Sequence, residues 1–585
     1  LDLSRLAVGN LKQVEIVKGP SSSLYGSEAL AGVINLITEN PNGTRGDLSA
    51  RYGANRTSDL AGNFAVRKGI AGLSVFGNRY ASGGYDFTPA VFGQTVPPFA
   101  TYTLSPKLTL DFSPKTRLVL SSRLFTETQN QDSELGDKTR LTGEGRVREA
   151  TFNPWLSHRF GERFKLTGRF YNTRYRTDGT LNYLADGSAY DESFFDQSFR
   201  RAEGQGEWFL SKKHVLTLGA GRIWEAVEAT RYDDRKRFQT SYAFGQYEYT
   251  PTDRLQVIAG GRYDAHSAYA NQFSPKLSAA YKLREGLTLR GSAGVGFKAP
   301  DFRQLYLNFG NAVVGYTVLG SQELAAGLAA LDAQGQLADL LADPATFGTL
   351  RPESSFATNL GGKISLKNGF RFSLNAFRND IDGLIETQAV ARKTNGQNVF
   401  SYRNLNRVFT QGVEVEGSQQ LAVGNWQLAI SAGYQFLEAK DKDVLARLRA
   451  GEVFRRDPTT LVTVRVKPSE YGGLFNRSKH AANVKLFFEN PKTGFSASLR
   501  GIYRSRFGFA DGNSNAILDA ASEYVPGYAL WNLSAAKTFG PRLRLQAGVD
   551  NLFGYRDPAF IPNLAGRLGW VSLGLSLEKK PARRP

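Results

Sequence analysis

The 585-residue sequence contains no cysteine and no methionine. Without cysteine there is neither a disulfide scaffold nor a thiolate site for metal or redox chemistry. Nothing in the sequence explains the missing methionine. Histidine is scarce: His158, His214, His266 and His480 lie in separate segments. None forms an HxxxH or HExxH pair, which excludes a zincin-type centre, and each reads as a strand-end or loop residue. Long apolar runs are also missing. No segment approaches the ~18 consecutive apolar residues of a membrane helix, and mean hydropathy is −0.34. That excludes a helical membrane protein but not a transmembrane barrel, whose alternating strands average out as mildly polar. No phosphate-cradling loop is present, because Gly291 to Gly296 sits in a strand pattern without the following lysine and helix. No nucleophile elbow marks any serine. The expectation is a protein that is not an enzyme, with no cofactor and no metal site.

Glycine (61), phenylalanine (39) and tyrosine (25) are plentiful, whereas proline is held to 22. This favours a β-rich chain with many turns. Net charge is +19. Arginine and lysine recur along the whole chain at alternate strand positions. They read as lining a wet lumen and rimming membrane faces, rather than as one nucleic-acid-binding patch.

From residue 46 onward the hydrophobic period is two. Leu108, Leu110 and Phe112 alternate with Lys107, Thr109 and Asp111; Leu543, Leu545, Ala547 and Val549 alternate with polar neighbours; Val571, Leu573, Leu575 and Leu577 do the same. One face is therefore apolar and the other polar, a pattern shared by soluble sandwiches and membrane barrels. Spacing separates the two. Short turns are expected at 112–115, 161–163, 211–213, 251–253, 284–286, 367–369 and 540–541. Long loops are expected at about 81–99, 127–145, 177–192, 297–354, 438–477 and 508–526. Short turns at one end and long loops at the other is an outer-membrane layout. The segments add up to about 22 strands, enough to enclose a plug. Tyr80, Tyr102, Trp155, Phe160, Tyr175, Trp208, Trp224, Tyr247, Tyr249, Tyr263 and Trp570 are the girdle candidates. Residues 321–343 read as an amphipathic helix capped by Ser321, with Leu324, Leu328, Leu331 and Leu337 on one stripe. It would serve as a lid, a docking surface or a self-packed cover.

One stretch organises the rest. Val14, Ile16 and Val17 favour a strand, and Gly19-Pro20 breaks it. Ser21 to Ser23 offer capping oxygens to a short helical turn. Gly26 and Gly32 permit close backbone approach, and Val33 to Ile37 reads as a second, buried strand. The run VEIVKGPSSSLYGSEALAGVINLIT, residues 14–38, resembles the plug signature of TonB-dependent outer-membrane receptors, and 1–12 resembles the approach to it. GVGFKAPDFRQLYLNF (294–309), VFTQGVEVEG (408–417) and AGVDNLFGYRDP (547–558) resemble three barrel segments of that family, the last its penultimate strand and turn. The LEKKPARRP end departs from the family's usual terminal aromatic.

The resemblance implies an all-β membrane protein: residues 1–45 as the C-terminal part of a plug, and 46–585 as a barrel with extracellular loops. It places an export signal, a TonB box and the first part of the plug upstream of Leu1. It implies residence in the outer membrane of a Gram-negative bacterium and active uptake of a scarce ligand. The ligand expected first is a ferric siderophore or similar chelate, then haem or cobalamin. A passive plugged channel or an uncoupled surface receptor is the alternative. Implied partners are the TonB-ExbB-ExbD complex, outer-membrane lipid, a small metal chelate and a surface lipoprotein, without nucleic acid. The signature positions are Glu15, Lys18, Gly19, Pro20, Tyr25, Gly26, Gly32 and Asn35. Lys18 is the expected plug contact to wall residues Glu414 and Glu416, as a static anchor or a moving latch. A buried pair of this kind costs about 3–5 kcal/mol to break. Ligand candidates are Tyr25, Arg303, Tyr306, Tyr316, Arg504, Arg506 and Phe507, since arginine and aromatics suit an anionic, flat ligand. Residues 301–353 contain no histidine, which disfavours histidine-ligated haem and leaves Tyr306 or Tyr316 as iron ligands.

Overall fold

The computed structural model describes residues 7–577, apart from 20, 28, 31, 312–315, 405–406, 457–459, 513–514 and 516. Pro20 of the signature, most of the 1–12 approach before Ala7 and the 578–585 tail lie outside the described residues. A closed antiparallel barrel of 22 strands forms the body. Its first strand, Arg45–Gly53, pairs with its second, Thr57–Lys68, and also with its last, Leu568–Ser576. This leaves the ladder without an edge, as a bilayer demands. All seven expected turns lie at one end of the barrel, together with 69–70, 424–425 and 491–494, which carry weaker glycine and asparagine signals. At the other end the loops depart from expectation. The predicted loop 177–192 is mostly strand: Phe164–Tyr183 and Ala189–Ser211 run up to a hairpin turn at 184–188. Polarity on both faces hid these strand tops. Likewise 127–145 shrinks to 131–139, between strands Thr116–Asn130 and Arg140–Phe160. Besides the short connections 54–56, 230–235 and 267–271, two long loops went unpredicted. Residues 383–407 carry strands of their own. Residues 551–567, expected to begin as a turn, form a loop after strand Leu543–Asp550.

The 321–343 helix is shorter than expected, spanning Leu324–Ala333. Gly335, at φ +64°, ends it, and Leu337 passes into a short strand, Leu337–Leu340. Ser321 does not cap it, and its buried hydroxyl finds no partner among the described residues. Leu324 and Leu328 are buried with Leu319, Phe347, Val390, Ala391 and Val399, and Leu331 and Leu337 pack against them. The stripe thus faces a five-stranded sheet built from loops 299–352 and 383–407.

Inside the barrel, β1 (Leu11–Lys18) and β2 (Gly32–Thr38) form an antiparallel hairpin flanking α1 (Ser22–Tyr25). The second strand is not buried as expected. Ile34 is half-exposed, as are Val14 and Ile16, because the described sheet has only these two strands. The girdle also divides. By strand alternation Tyr102, Phe160, Trp208, Trp224, Tyr247, Tyr249 and Tyr263 share the outer face. Tyr80, Trp155, Tyr175 and Trp570 fall on the lumen parity, next to outward Arg79, Leu156, Arg174 and Val571.

Candidate functional site

The plug hairpin meets the barrel wall at three places. At the end of β2, Lys107 Nζ of strand Phe99–Ser113 donates to Thr38 Oγ1 and to the Glu39 carbonyl, each at 3.2 Å. The other two places carry signature residues and differ in character. At the end of β1, Lys18 Nζ donates to Glu414 Oε2 at 2.8 Å and Glu416 Oε1 at 3.1 Å. Both carboxylates lie on strand Val408–Val423, two residues apart and hence on one face. Lys18 remains 44% exposed, against 22% for Glu414 and 63% for Glu416. The buried pair expected from the sequence is therefore a wet one. Burial draws the Lys18 pKa down, and the two carboxylates more than offset it, so the net shift is upward. Beside it, Gly19 adopts φ +83° against Asn359, whose amide nitrogen would lie 2.5 Å from an added Cβ. Glu15 and Asn35 face each other across the hairpin, joined by Asn35 Nδ2 to Glu15 Oε2 at 3.1 Å.

The second contact is dry. Ser21 and Ser22, expected to cap α1, bind the wall instead: Lys276 Nζ donates to Ser21 Oγ and Phe297 N to Ser22 Oγ, and Ala299 N donates likewise to Ser27 Oγ. Gly26, at φ +80°, lies under Arg262, whose guanidinium nitrogen would sit 2.8 Å from an added Cβ. Arg262 is itself clamped by Asp264 at 2.7 Å, both side chains 3–4% exposed, and lies 3.6 Å from the Tyr242 ring. Its Nη1 reaches the Leu24 carbonyl at 3.5 Å. Sequence reasoning missed this pair. Its only signal was an Arg-x-Asp on a lumen parity, which recurs elsewhere without burial. Gly32 completes the hairpin, since a Cβ there would stand 2.4 Å from the Val17 carbonyl oxygen.

Between hairpin and wall lies a cavity of about 920 Å³, lined among others by Lys18, Lys276, Arg290, Lys363, Arg371 and Glu416. The ligand candidates do not converge on it, and they fall into separate groups rather than one site. Arg303 pairs with Asp301 at 2.9 Å. Tyr306 is half-buried, packs beside Phe238 and Phe302, and holds Lys236 Nζ 4.7 Å from its ring; burial raises its pKa. Tyr316 packs edge-on to Phe309 and Phe400 in the loop sheet. Arg504 and Arg506 stack over Phe507 and Tyr524, and Phe507 is buried. Arg504 ends strand Phe495–Arg504, and Arg506 and Phe507 open loop 505–527, which shares a separate cluster with loop 442–479. Tyr25 stands half-exposed at the end of α1. The histidines stay apart, each beside an aromatic ring, and no group of three metal-binding side chains occurs among the described residues.

The family model described as TonB dependent receptor-like, beta-barrel, matches residues 34–552, and that of the TonB-dependent Receptor Plug Domain matches 1–33. The chain belongs to the TonB-dependent receptor family. It is an outer-membrane β-barrel of a family of transporters and receptors, not enzymes. Among TonB-dependent relatives, the Vitamin B12 transporter BtuB of Vibrio vulnificus is 22% identical, over 94% of this chain and 77% of that protein. The iron-regulated outer membrane virulence protein of Vibrio cholerae is 23% identical, over 74% of this chain and 63% of that protein. Of solved structures, the siderophore receptor PirA of Pseudomonas aeruginosa matches with TM-score 0.69 at 16% identity, over 99% of this chain and 90% of that one. A ferric enterobactin receptor (PfeA) mutant of the same organism, in complex with enterobactin, matches with TM-score 0.73 at 16% identity, over 98% and 87%. At such identities the likeness of a TonB-dependent receptor to these structures is one of fold.

Proposed function

We propose that this receptor takes up a scarce metal chelate, a ferric siderophore before haem or cobalamin, and that TonB-ExbB-ExbD drives the step by remodelling the plug. The observation that carries this reading is the mooring of the hairpin. The hairpin is tied to the wall inside the barrel, so a chelate crossing the lumen must pass it, and its Lys18 contact is wet enough to break under modest load. Relatives named for iron regulation and siderophores support iron; the cobalamin relative keeps the corrin alternative in view. Tyr306 and Tyr316 are engaged in ring packing, which speaks against them as haem ligands.

Two measurements test it. Protein purified in detergent from iron-starved cells, loaded from native culture supernatant, is examined by absorption and metal analysis. Iron with a broad charge-transfer band and no Soret band supports a siderophore; a Soret band names haem, and cobalt with corrin bands names cobalamin. Uptake of the identified ligand is then compared in cells with and without TonB. Undiminished uptake without TonB sinks the coupled mechanism in favour of a passive channel.

A further inference from the structure

The lumen wall carries cations of two kinds. Register fixes which residues face inward. Arg262 and Asp264 hold the plug from the lumen, so the positions that pair in register with their side of the strand also face in. Between Thr57 and Ser211, inward Arg67, Arg123, Lys165 and Arg169 are each matched, meeting Asp111, Glu149, Glu207 and Glu203 at 2.5 to 3.5 Å. Strands Gln272–Arg284, Leu287–Lys298, Glu353–Ser365 and Arg371–Asp382 turn Lys276, Arg290, Lys363 and Arg371 inward. Among the described residues, no carboxylate lies in ion-pair range of these four. Lys276 donates to Ser21 Oγ at 3.3 Å.

The unmatched cations descend in order. By register, Arg290 lies four residues nearer the short-turn end than Lys276, Lys363 two residues further, and Arg371 two further again. At ~3.3 Å per residue this makes a staircase with steps of about 7 to 13 Å, from beneath α1 to the short turns. Every step lines the cavity of about 920 Å³, whose other side is Ile16, Val17 and Lys18 of the hairpin. The carboxylate among the lining residues is Glu416, which Lys18 already holds at 3.1 Å. A continuous strip of unanswered positive charge therefore runs down one sector of a wet wall. Such a strip repels itself, and beyond Lys276 it makes no bond to the described part of the plug.

We propose that this strip is the route by which cargo leaves the lumen once the hairpin has moved, and that the cargo is an anionic chelate. The inference rests on the uptake reading above and adds to it a sector, a direction and a charge. Passage needs stations that attract an ion without holding it, and spaced cations lacking partners of their own meet that need. A wall of one sign also concentrates the opposite charge along it. The volume suits a ligand of chelate size. The sector from Thr57 to Ser211, where carboxylates answer Arg67, Arg123, Lys165 and Arg169, offers less pull.

The test uses the full-length receptor in iron-starved cells given native culture supernatant recharged with radioactive iron, with folding checked by heat-dependent gel migration. Iron bound on ice and iron accumulated by energised cells are read separately. K363Q/R371Q is expected to bind as the parent does and to accumulate iron about tenfold more slowly. K363R/R371K keeps both charges and is expected to restore the rate. K165Q/E207Q removes a matched pair from the other sector and is expected to leave it unchanged. A parent that accumulates iron while K363Q/R371Q keeps pace overturns the strip alone; a parent that accumulates none overturns the uptake reading and the route with it. A readout without cargo separates the two further. In planar bilayers, with urea on the short-turn side to loosen the plug, the parent pore is expected to prefer chloride to potassium, and R290Q/K363Q/R371Q to lose most of that preference. An unselective parent pore, or an equal loss in K165Q/E207Q, overturns the proposal.

Discussion

Lys18 and Arg262 each meet carboxylates at under 3 Å, yet their surroundings set them apart. Water screens the Lys18 pair, and exposed pairs contribute little. Lys18→Met is expected to cost the receptor about 1 kcal/mol or less, followed by denaturant unfolding in micelles. Asp264→Ala strands a buried guanidinium beneath α1, and an expected loss of about 3–5 kcal/mol follows. Similar losses in the two variants would refute the contrast. pH separates them further. The Lys18 pKa is raised in the folded state, so its contribution is complete below the unfolded value of about 10.4 and disappears as pH climbs through the folded one. The parent chain has no cysteine, so a spin label on a single cysteine introduced at Asn35 reports cleanly. Its mobility is expected to stay constant from about pH 7 to 9 and to rise only beyond about 10.4. A rise near neutrality would contradict the assignment.

At the scale of elements, what could be read from sequence depended on whether the two faces of a segment differed. Lipid-facing strands such as Leu543–Asp550 and Leu568–Ser576 alternate apolar with polar and were plain. The top of Phe164–Tyr183 carries Thr173 and Thr177 on one face and Arg174, Arg176 and Asp178 on the other, and the top of Ala189–Ser211 mixes Asp191, Asp196 and Gln197 with Phe194 and Phe195, so the period vanished though the ladder continued. The plug signature placed Lys18 opposite Glu414 and Glu416, a pairing no local pattern contains. The Arg262–Asp264 clamp was illegible because burial, not composition, makes it special. The loop helix shows the converse: a real leucine stripe was drawn too long, past Gly335. Its stripe now has an address. Leu328→Asp is expected to disorder the sheet of loops 299–352 and 383–407, raising protease cleavage there, while heat-dependent gel migration of the barrel stays normal. Loss of the barrel band would show the loop core to be part of the barrel's own stability.

For the whole molecule, the decisive property is closure with a dry exterior and a wet interior. Adjacent residues then have opposite fates. Leu360, 70% exposed, points to lipid, whereas Asn359 points at Gly19 of the plug. Leu360→Arg is expected to cost about 2–4 kcal/mol in a bilayer if it sits near the midplane, and less toward either interface. Equilibrium unfolding in vesicles measures it, and a cost near zero would contradict the outward assignment.

These two signature moorings also differ mechanically. One is an ion pair that water helps to exchange, the other a helical turn bolted by serines and an arginine in a dry socket. Under load on the hairpin, the contact to strand Val408–Val423 is expected to part before those to strands Leu255–His266 and Leu287–Lys298. In the proposed uptake step the first would act as a latch and the second as a hinge.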